Sequence, residues 1–202
     1  MDSYAIAEVL TALRQRLIPS EHTEQLHDLI EGPQHDAREA AVLLALFESN
    51  HELHLVFIRR ASTLRSHSGE IAFPGGAIDA TDASPVMAAL REAYEEIGLN
   101  PSRVEVLGLL PPVFTIVSNY LILPVVAYLP LGLGTLRLQQ SEVTEVIQAS
   151  LRGLADPAIA HTERWTRGTA ARTVYFYDYG PYCIWGATGR ILHTLLQTLE
   201  LA

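Results

Sequence analysis

The run from Phe73 to Leu99, FPGGAIDATDASPVMAALREAYEEIGL, constrains this chain more than any other stretch. It opens on Pro74-Gly75-Gly76, where missing side chains permit backbone angles and close approaches that other residues forbid. Ser84 before Pro85 predicts an N-cap followed by proline at the first helical position, where its absent N–H costs nothing. A helix is expected from Val86 to Ile97, stopping at Gly98 with Pro101 behind it. Val86, Leu90, Ala93 and Ile97 recur at helical spacing and form the expected core stripe. That stripe assigns Glu92, Glu95 and Glu96 to the opposite, wetter side.

Glu92 and Glu96 stand one turn apart, so both carboxylates can address one spot. Like charges at this spacing weaken a bare helix, and pairing of Arg91 with Glu95 offsets only part of that. A divalent cation would remove the penalty, since magnesium takes oxygen ligands from one or two carboxylates while keeping waters and substrate phosphates. Taken alone, EAYEE reads as an acidic face turned to solvent. Asp82 is a turn or helix-start residue, or a further acidic member of the cluster.

The rest of the composition narrows the partners. With 202 residues and a mass of 22.2 kDa, the chain suffices for one domain with a sizeable core. A net charge of −9 argues against a broad grip on nucleic-acid backbone. Lysine is absent, so the fixed side-chain positive charge is all arginine, the residue suited to bidentate phosphate contacts. Cys183 is the single cysteine, which excludes an intrachain disulfide or a cysteine-based metal site. The opening MDSYAIAEVL lacks the basic segment of a signal peptide, and Pro124, Pro130 and glycines break the apolar stretch from Leu121 to Leu136. A soluble, cytoplasmic protein without a membrane partner is expected.

Tyr4 to Leu17 carries Ile6, Val9, Leu10, Leu13 and Leu17 at helical spacing, and Thr23 to Ile30 suggests a second short helix. Residues 1–36 therefore read as a helical extension packed on the domain, with a homodimer as a further possibility. Ala37 to Leu46 favours helix by propensity, while Glu48-Ser49-Asn50 reads as a hairpin turn and His54 to Arg59 as a strand; the fold that the resemblance given below implies makes Ala41 to Phe47 the strand before that turn. Further strands are expected at Val104 to Leu110 and at Tyr120 to Tyr128, where Pro124 implies an edge, bulge or break. Glu142 to Ile147 reads as a strand entered from a loop, and Asp156 to Arg167 as a mobile or substrate-facing polar segment. Arg172 to Tyr179 and Tyr182 to Trp185 form a strand pair before a last helix through Leu199, with Trp185 as a core residue. His54 and His67 lack the spacing of a zinc site.

Gly76, Asp82, Arg91, Glu92, Ala93, Glu95, Glu96 and Gly98 resemble the signature of the Nudix hydrolases. Two departures are visible. Asp82 stands where glutamate is usual, and one extra residue separates it from Arg91. Upstream, Arg60, Arg65, Gly69 and Phe73-Pro74-Gly75-Gly76 are similar to the additional signature of the coenzyme A pyrophosphatase branch, with Ala61 where serine is common. The segment IWGATGRIL, from Ile184 to Leu192, resembles the same branch.

The resemblance implies an α/β Nudix fold, a mixed β-sheet sandwiched between α-helices, in one domain spanning residues 1–202. It implies a Mg2+ or Mn2+ site on Glu92, Glu96, Glu95 and the Gly75 carbonyl, with Arg91 orienting carboxylates. It further implies Glu142 as the acceptor of the water proton, with Glu95 or Glu145 as alternatives, and Arg60, Arg65, Gly69 and Gly76 as substrate-binding positions. The expected substrate is coenzyme A or a derivative, split to 3',5'-ADP and 4'-phosphopantetheine. Hydrolysis of ADP-ribose, NADH or dinucleotide polyphosphates is the alternative, and a nucleotide-binding regulator is the non-enzymatic one.

Overall fold

The computed structural model describes residues 6–22, 26, 36–62, 68–167 and 170–201. Its frame is a hairpin that parts. Strand β1 (Arg38–Ser49) pairs antiparallel with β2 (Glu52–Arg60) only near the turn, from Leu46 opposite Leu55 to Ser49 opposite Glu52. Beyond that the strands diverge and the chain re-enters the gap. There β3 (Ile71–Ala72) pairs with β2, and β4 (Gly75–Ala77) pairs with β1. The N–H of Leu43 donates to the Pro74 carbonyl at 2.8 Å across the join.

On its other edge β1 runs parallel to β7 (Tyr120–Leu129), in register from Arg38 opposite Tyr120 to Phe47 opposite Leu129. This pairing makes the alanine-rich segment a strand, longer than expected at both ends. Ala41, Leu43, Ala45 and Phe47 enter one apolar layer, while Leu44 and Leu46 enter the other. Burial on both faces overrides the helical propensity of alanine and leucine.

β7 lies inside the sheet, and Pro124 marks a change of its antiparallel partner. β5 (Glu105–Leu109) ends with Leu109 opposite Val125, and β6 (Val113–Thr115) begins with Val113 opposite Ile122. The break falls in the neighbour, between β5 and β6, and β7 itself continues. On the far edge of β2, β8 (Val143–Ser150) completes the mixed sheet.

Helix α2 (Pro85–Ile97) covers one face of this sheet, capped by Ser84, whose hydroxyl accepts from Met87 N–H. Such a cap contributes about 1 kcal/mol. The other face is covered by α1 (Ile6–Arg16), α3 (Gly186–Thr198) and a second sheet. That sheet comprises β9 (Ala160–Arg167), β10 (Ala170–Tyr179) and β11 (Tyr182–Trp185), with β10 in the middle. Among the described residues, no helix is long and apolar enough to cross a membrane.

Two expectations change. The polar stretch from Asp156 to Arg167 is ordered as a short 3-10 turn (Pro157–Ile159) followed by β9, which pairs along β10. Its polarity is that of an exposed edge strand. The buried side of α2 is Ala88, Ala89, Ala93, Glu96 and Ile97, while Val86 and Leu90 are only partly covered. Glu96 is therefore inside and not on the wet side. The predicted helix from Thr23 to Ile30 lies outside the described residues, except for buried Leu26.

Close packing of α3 on β10 depends on Gly189, where a Cβ would collide with the Tyr175 carbonyl. Gly189→Ala should lower unfolding free energy by about 1–3 kcal/mol, the range for overpacking. Urea titration of both forms checks this, and an unchanged midpoint would show that the helix shifts without cost.

Candidate active site

The wedge between the parted strands carries Gly75 and Gly76, and α2 lies across it. Gly75 has φ 152°, and a Cβ there would sit 2.6 Å from Val42 Cα and would also strike the Ala41 carbonyl. No side chain fits. A Cβ on Gly76 would meet the Glu92 carboxylate carbon at 2.6 Å. Two glycines thus let the backbone slide under the carboxylates of α2.

Glu96 is the buried one, 2% exposed. Its Oε2 accepts the Gly75 N–H at 3.0 Å, and its Oε1 lies 3.8 Å from Arg60 Nη1. Burial pushes its carboxyl up to about 7, the Gly75 N–H and Arg60 oppose this, and Glu92 and Glu142 add to it. Glu92 is raised for the same leading reason, its burial, with Arg91 opposing. Two acids in a poorly hydrated place hold their charge reluctantly.

Arg91 is the hub that keeps the outer carboxylates in order. Its Nε and Nη2 donate to the two oxygens of Asp82 at 3.1 and 2.9 Å. Its Nη1 reaches Glu92 at 2.9 Å and Glu95 at 3.1 Å, and Nη2 also bonds the Ala77 carbonyl. The bidentate bond with Arg91 holds the Asp82 carboxyl below the usual range. Asp82 also accepts the Asp79 N–H at 2.9 Å, so it is a turn residue and an anchor at once. Within the same turn, the Asp82 N–H donates to the Asp79 carbonyl.

Glu142 comes from the loop ahead of β8. Gln139 ties that loop to the helix end: its N–H donates to the Glu96 carbonyl at 2.9 Å, and its own carbonyl accepts from Glu142 and Val143. The Glu142 carbonyl accepts the Ala61 N–H at 2.7 Å. Its exposed carboxylate is close enough that its charge raises both Glu92 and Glu96. Glu145, by contrast, is bonded by the Tyr182 hydroxyl at 2.6 Å and faces Arg59. Glu95 is exposed and engaged by Arg91.

Arg60 stands beside Glu96 with its Nε buried and unbonded. Gly69 closes the turn behind it at φ 73°, donating its N–H to the Arg60 carbonyl at 3.1 Å. Arg65 lies outside the described residues. Sequence reasoning missed Gln139, Arg59 and Tyr182, because none belongs to a spaced pattern.

Among the described residues, no three carboxylate, imidazole or thiol side chains converge closely enough in this conformation to enclose a metal ion. Glu92 is instead turned onto Arg91, and Glu96 onto the Gly75 N–H. The donor set nonetheless suits a hard cation. It offers only oxygen, and it includes a nearly inaccessible carboxylate whose charge is opposed by burial and by two neighbouring acids.

A NUDIX domain model matches residues 37–165. The chain is 38% identical over 164 residues to the uncharacterized Nudix hydrolase NudL of Photorhabdus laumondii subsp. laumondii, covering 81% of this chain and 86% of that protein. It is 40% identical over 159 residues to the protein of the same description from Salmonella paratyphi B, covering 78% of this chain and 81% of the other. The crystal structure of C. elegans Ap4A hydrolase superposes with a TM-score of 0.51 at 13% identity, over 81% of this chain and 96% of that one, and shares the fold.

The perturbed Glu96 has a consequence for stability. Its carboxyl titrates at about 7 in the fold against an ordinary value of 4.5, so the folded chain holds this proton more tightly than the unfolded chain. Without divalent cation, the contribution is favourable below the unfolded value and is lost as pH rises through the folded one. Glu96→Gln keeps an oxygen for the Gly75 N–H and removes the titration. It should raise stability at about pH 8 relative to wild type by on the order of 1–3 kcal/mol, with little difference at about pH 4. Urea unfolding in a chelator checks this; a difference independent of pH would contradict it.

Proposed function

This chain belongs to the Nudix family, and we propose that it hydrolyses the pyrophosphate bond of coenzyme A or a derivative, giving 3',5'-ADP and 4'-phosphopantetheine. The observation that carries the reading is the pairing of buried Glu96 with the Gly75 N–H, beside Glu92 and within 3.8 Å of Arg60. Carboxylates next to a partly exposed guanidinium make a place for an anion that brings its own counter-cation. The resemblance of Arg60, Arg65, Gly69 and the FPGG run to the coenzyme A branch supplies the substrate class.

Nudix hydrolases generally use divalent metal ions, and here Glu92, Glu96, Glu95 and the Gly75 carbonyl would hold Mg2+ or Mn2+. When bound, the ion neutralises phosphate charge and lowers the pKa of water. The protein's own groups have separate tasks. Arg91 fixes Glu92 and Glu95 in orientation, as groups behind a metal commonly do. The Gly75 N–H holds one oxygen of Glu96 and leaves the other directed toward Arg60. Arg60 binds a phosphate oxygen. Glu142, exposed at the rim and held to the strand by its backbone, accepts the proton of the attacking water. The water oxygen bonds to phosphorus, the bridging P–O bond breaks, and the second phosphate leaves. Glu145 is unsuited to the same task because both its oxygens already face Tyr182 and Arg59.

Incubation with coenzyme A, followed by chromatography, tests bond, substrate and cofactor together. The two named products should form only with Mg2+ or Mn2+, and kcat/KM for coenzyme A should exceed that for ADP-ribose, NADH and dinucleotide polyphosphates. Preference for one of those would move the assignment to that substrate. Binding without any product would favour a nucleotide-binding regulator.

Gly76 supplies a sharper test of the carboxylates. The three atoms nearest a Cβ there all belong to the Glu92 carboxylate, the end of a flexible side chain, so Gly76→Ala should displace the carboxylate and leave the fold nearly intact. We expect kcat to drop at least about tenfold, a loss of about 1.4 kcal/mol in transition-state stabilisation, with a Tm change of less than about 3 °C. Retained turnover would show that Glu92 is not needed where it stands.

A further inference from the structure

β8 does not run straight. Arg59 lies opposite Glu145, yet Arg60 lies opposite Val143, so Thr144 is an extra residue in β8. In an unbroken strand Val143 and Glu145 would share a face. The bulge instead turns Val143 into the layer under α2, while Glu145 goes to the opposite face beside Arg59. Bulges of this kind re-aim side chains next to functional sites.

Glu145 is held there by groups from two other strands. The Tyr182 hydroxyl on β11 donates to Oε1 at 2.6 Å, and Arg59 Nε lies 3.3 Å from Oε2. The Arg59 guanidinium stands over the Tyr182 ring, 5.3 Å from its centroid, closing a three-membered cluster. The bond to Glu145 pushes the Tyr182 phenol upward, so it remains the donor at neutral pH. The Thr144 hydroxyl adds a bond to the Arg59 carbonyl at 3.3 Å. Just upstream, Glu142 is anchored through its backbone, to Gln139 on one side and Ala61 on the other. Where its carboxylate stands relative to Glu92 and Glu96 follows from where β8 begins, and the bulge sets that beginning.

We propose that Tyr182 is a positioning residue: through Glu145 and Arg59 it locks the bulged start of β8 and so keeps Glu142 against Glu92 and Glu96. The proposal rests on the assignment of Glu142 as proton acceptor made above. Tyr182 contacts no reacting atom. It acts on the reaction through Glu142 alone, and Glu145 is the link between them.

Tyr182→Phe removes one hydroxyl and keeps the ring under Arg59. Hydrogen exchange at the Ala61 and Glu142 amides should quicken about tenfold. The kcat for coenzyme A with Mg2+ should fall about tenfold at unchanged KM. Added to Glu142→Gln, the same change should cause no further loss, whereas a merely structural role gives losses that multiply. Glu145→Gln keeps an acceptor for the phenol and should stay within about threefold of wild type, while Glu145→Ala should match Tyr182→Phe. Unchanged exchange at those amides, or multiplying losses, overturns the proposal. Failure of the unmodified protein to turn over coenzyme A rejects the proposed substrate instead, and the exchange measurement still decides whether Tyr182 holds the strand.

Discussion

The hydrogen bond from the Gly75 N–H to Glu96 joins the two parts on which everything else rests: a backbone wedge between parted strands, and a helix laid across it. The wedge exists because β1 and β2 separate after a short paired stretch and leave unpaired backbone groups that Ile71–Ala72 and Gly75–Ala77 satisfy. Only glycine fits at Gly75, since its φ is positive and the space for a Cβ is filled by β1. With the wedge in place, α2 can bury Ala88, Ala89 and Ala93 on the sheet and still bring Glu96 down to the loop. Small residues on that side of the helix allow the close approach, and the close approach makes the site.

The electrostatics follow from this geometry. A carboxylate that is nearly inaccessible, with two more acids in range, is an uneasy arrangement unless positive charge is added. The chain adds some of its own. Arg91 collects Asp82, Glu92 and Glu95 in one fan, and Arg60 approaches Glu96 from β2. Arg91 holds the acids apart in fixed positions, and Glu96 remains the member with least compensation. That imbalance is the physical argument for a cation at this place, and it is independent of any likeness to other proteins.

Much of the site was legible because it is local. Ser84-Pro85 and Gly98 bracket the helix as expected, and the one-turn spacing of Glu92 and Glu96 put both beside the glycines. Spacing alone did not say which of them faces inward. An apolar stripe drawn through Val86 and Leu90 assigned Glu96 to solvent, whereas the alanines allowed the helix to roll and bury it. The extent of β1 was illegible for a different reason: its partner, β7, lies far along the chain, and their parallel pairing overrides local preference. β9 read as a mobile or substrate-facing segment because an exposed edge strand needs no apolar alternation. The bulge at Thr144 and the Arg59, Glu145 and Tyr182 cluster depend on three strands meeting, which no spacing rule encodes.

The central claim is that the carboxylates gathered on the glycine wedge hold a divalent cation. Anomalous diffraction from a crystal soaked in Mn2+ tests it most directly, because the ion then reports its own position. The account predicts an anomalous peak within bonding distance of Glu92 and Glu96, with Glu96 shifted away from Arg60. A crystal saturated with Mn2+ whose peaks all lie elsewhere, with Glu96 still bound to the Gly75 N–H alone, would contradict it.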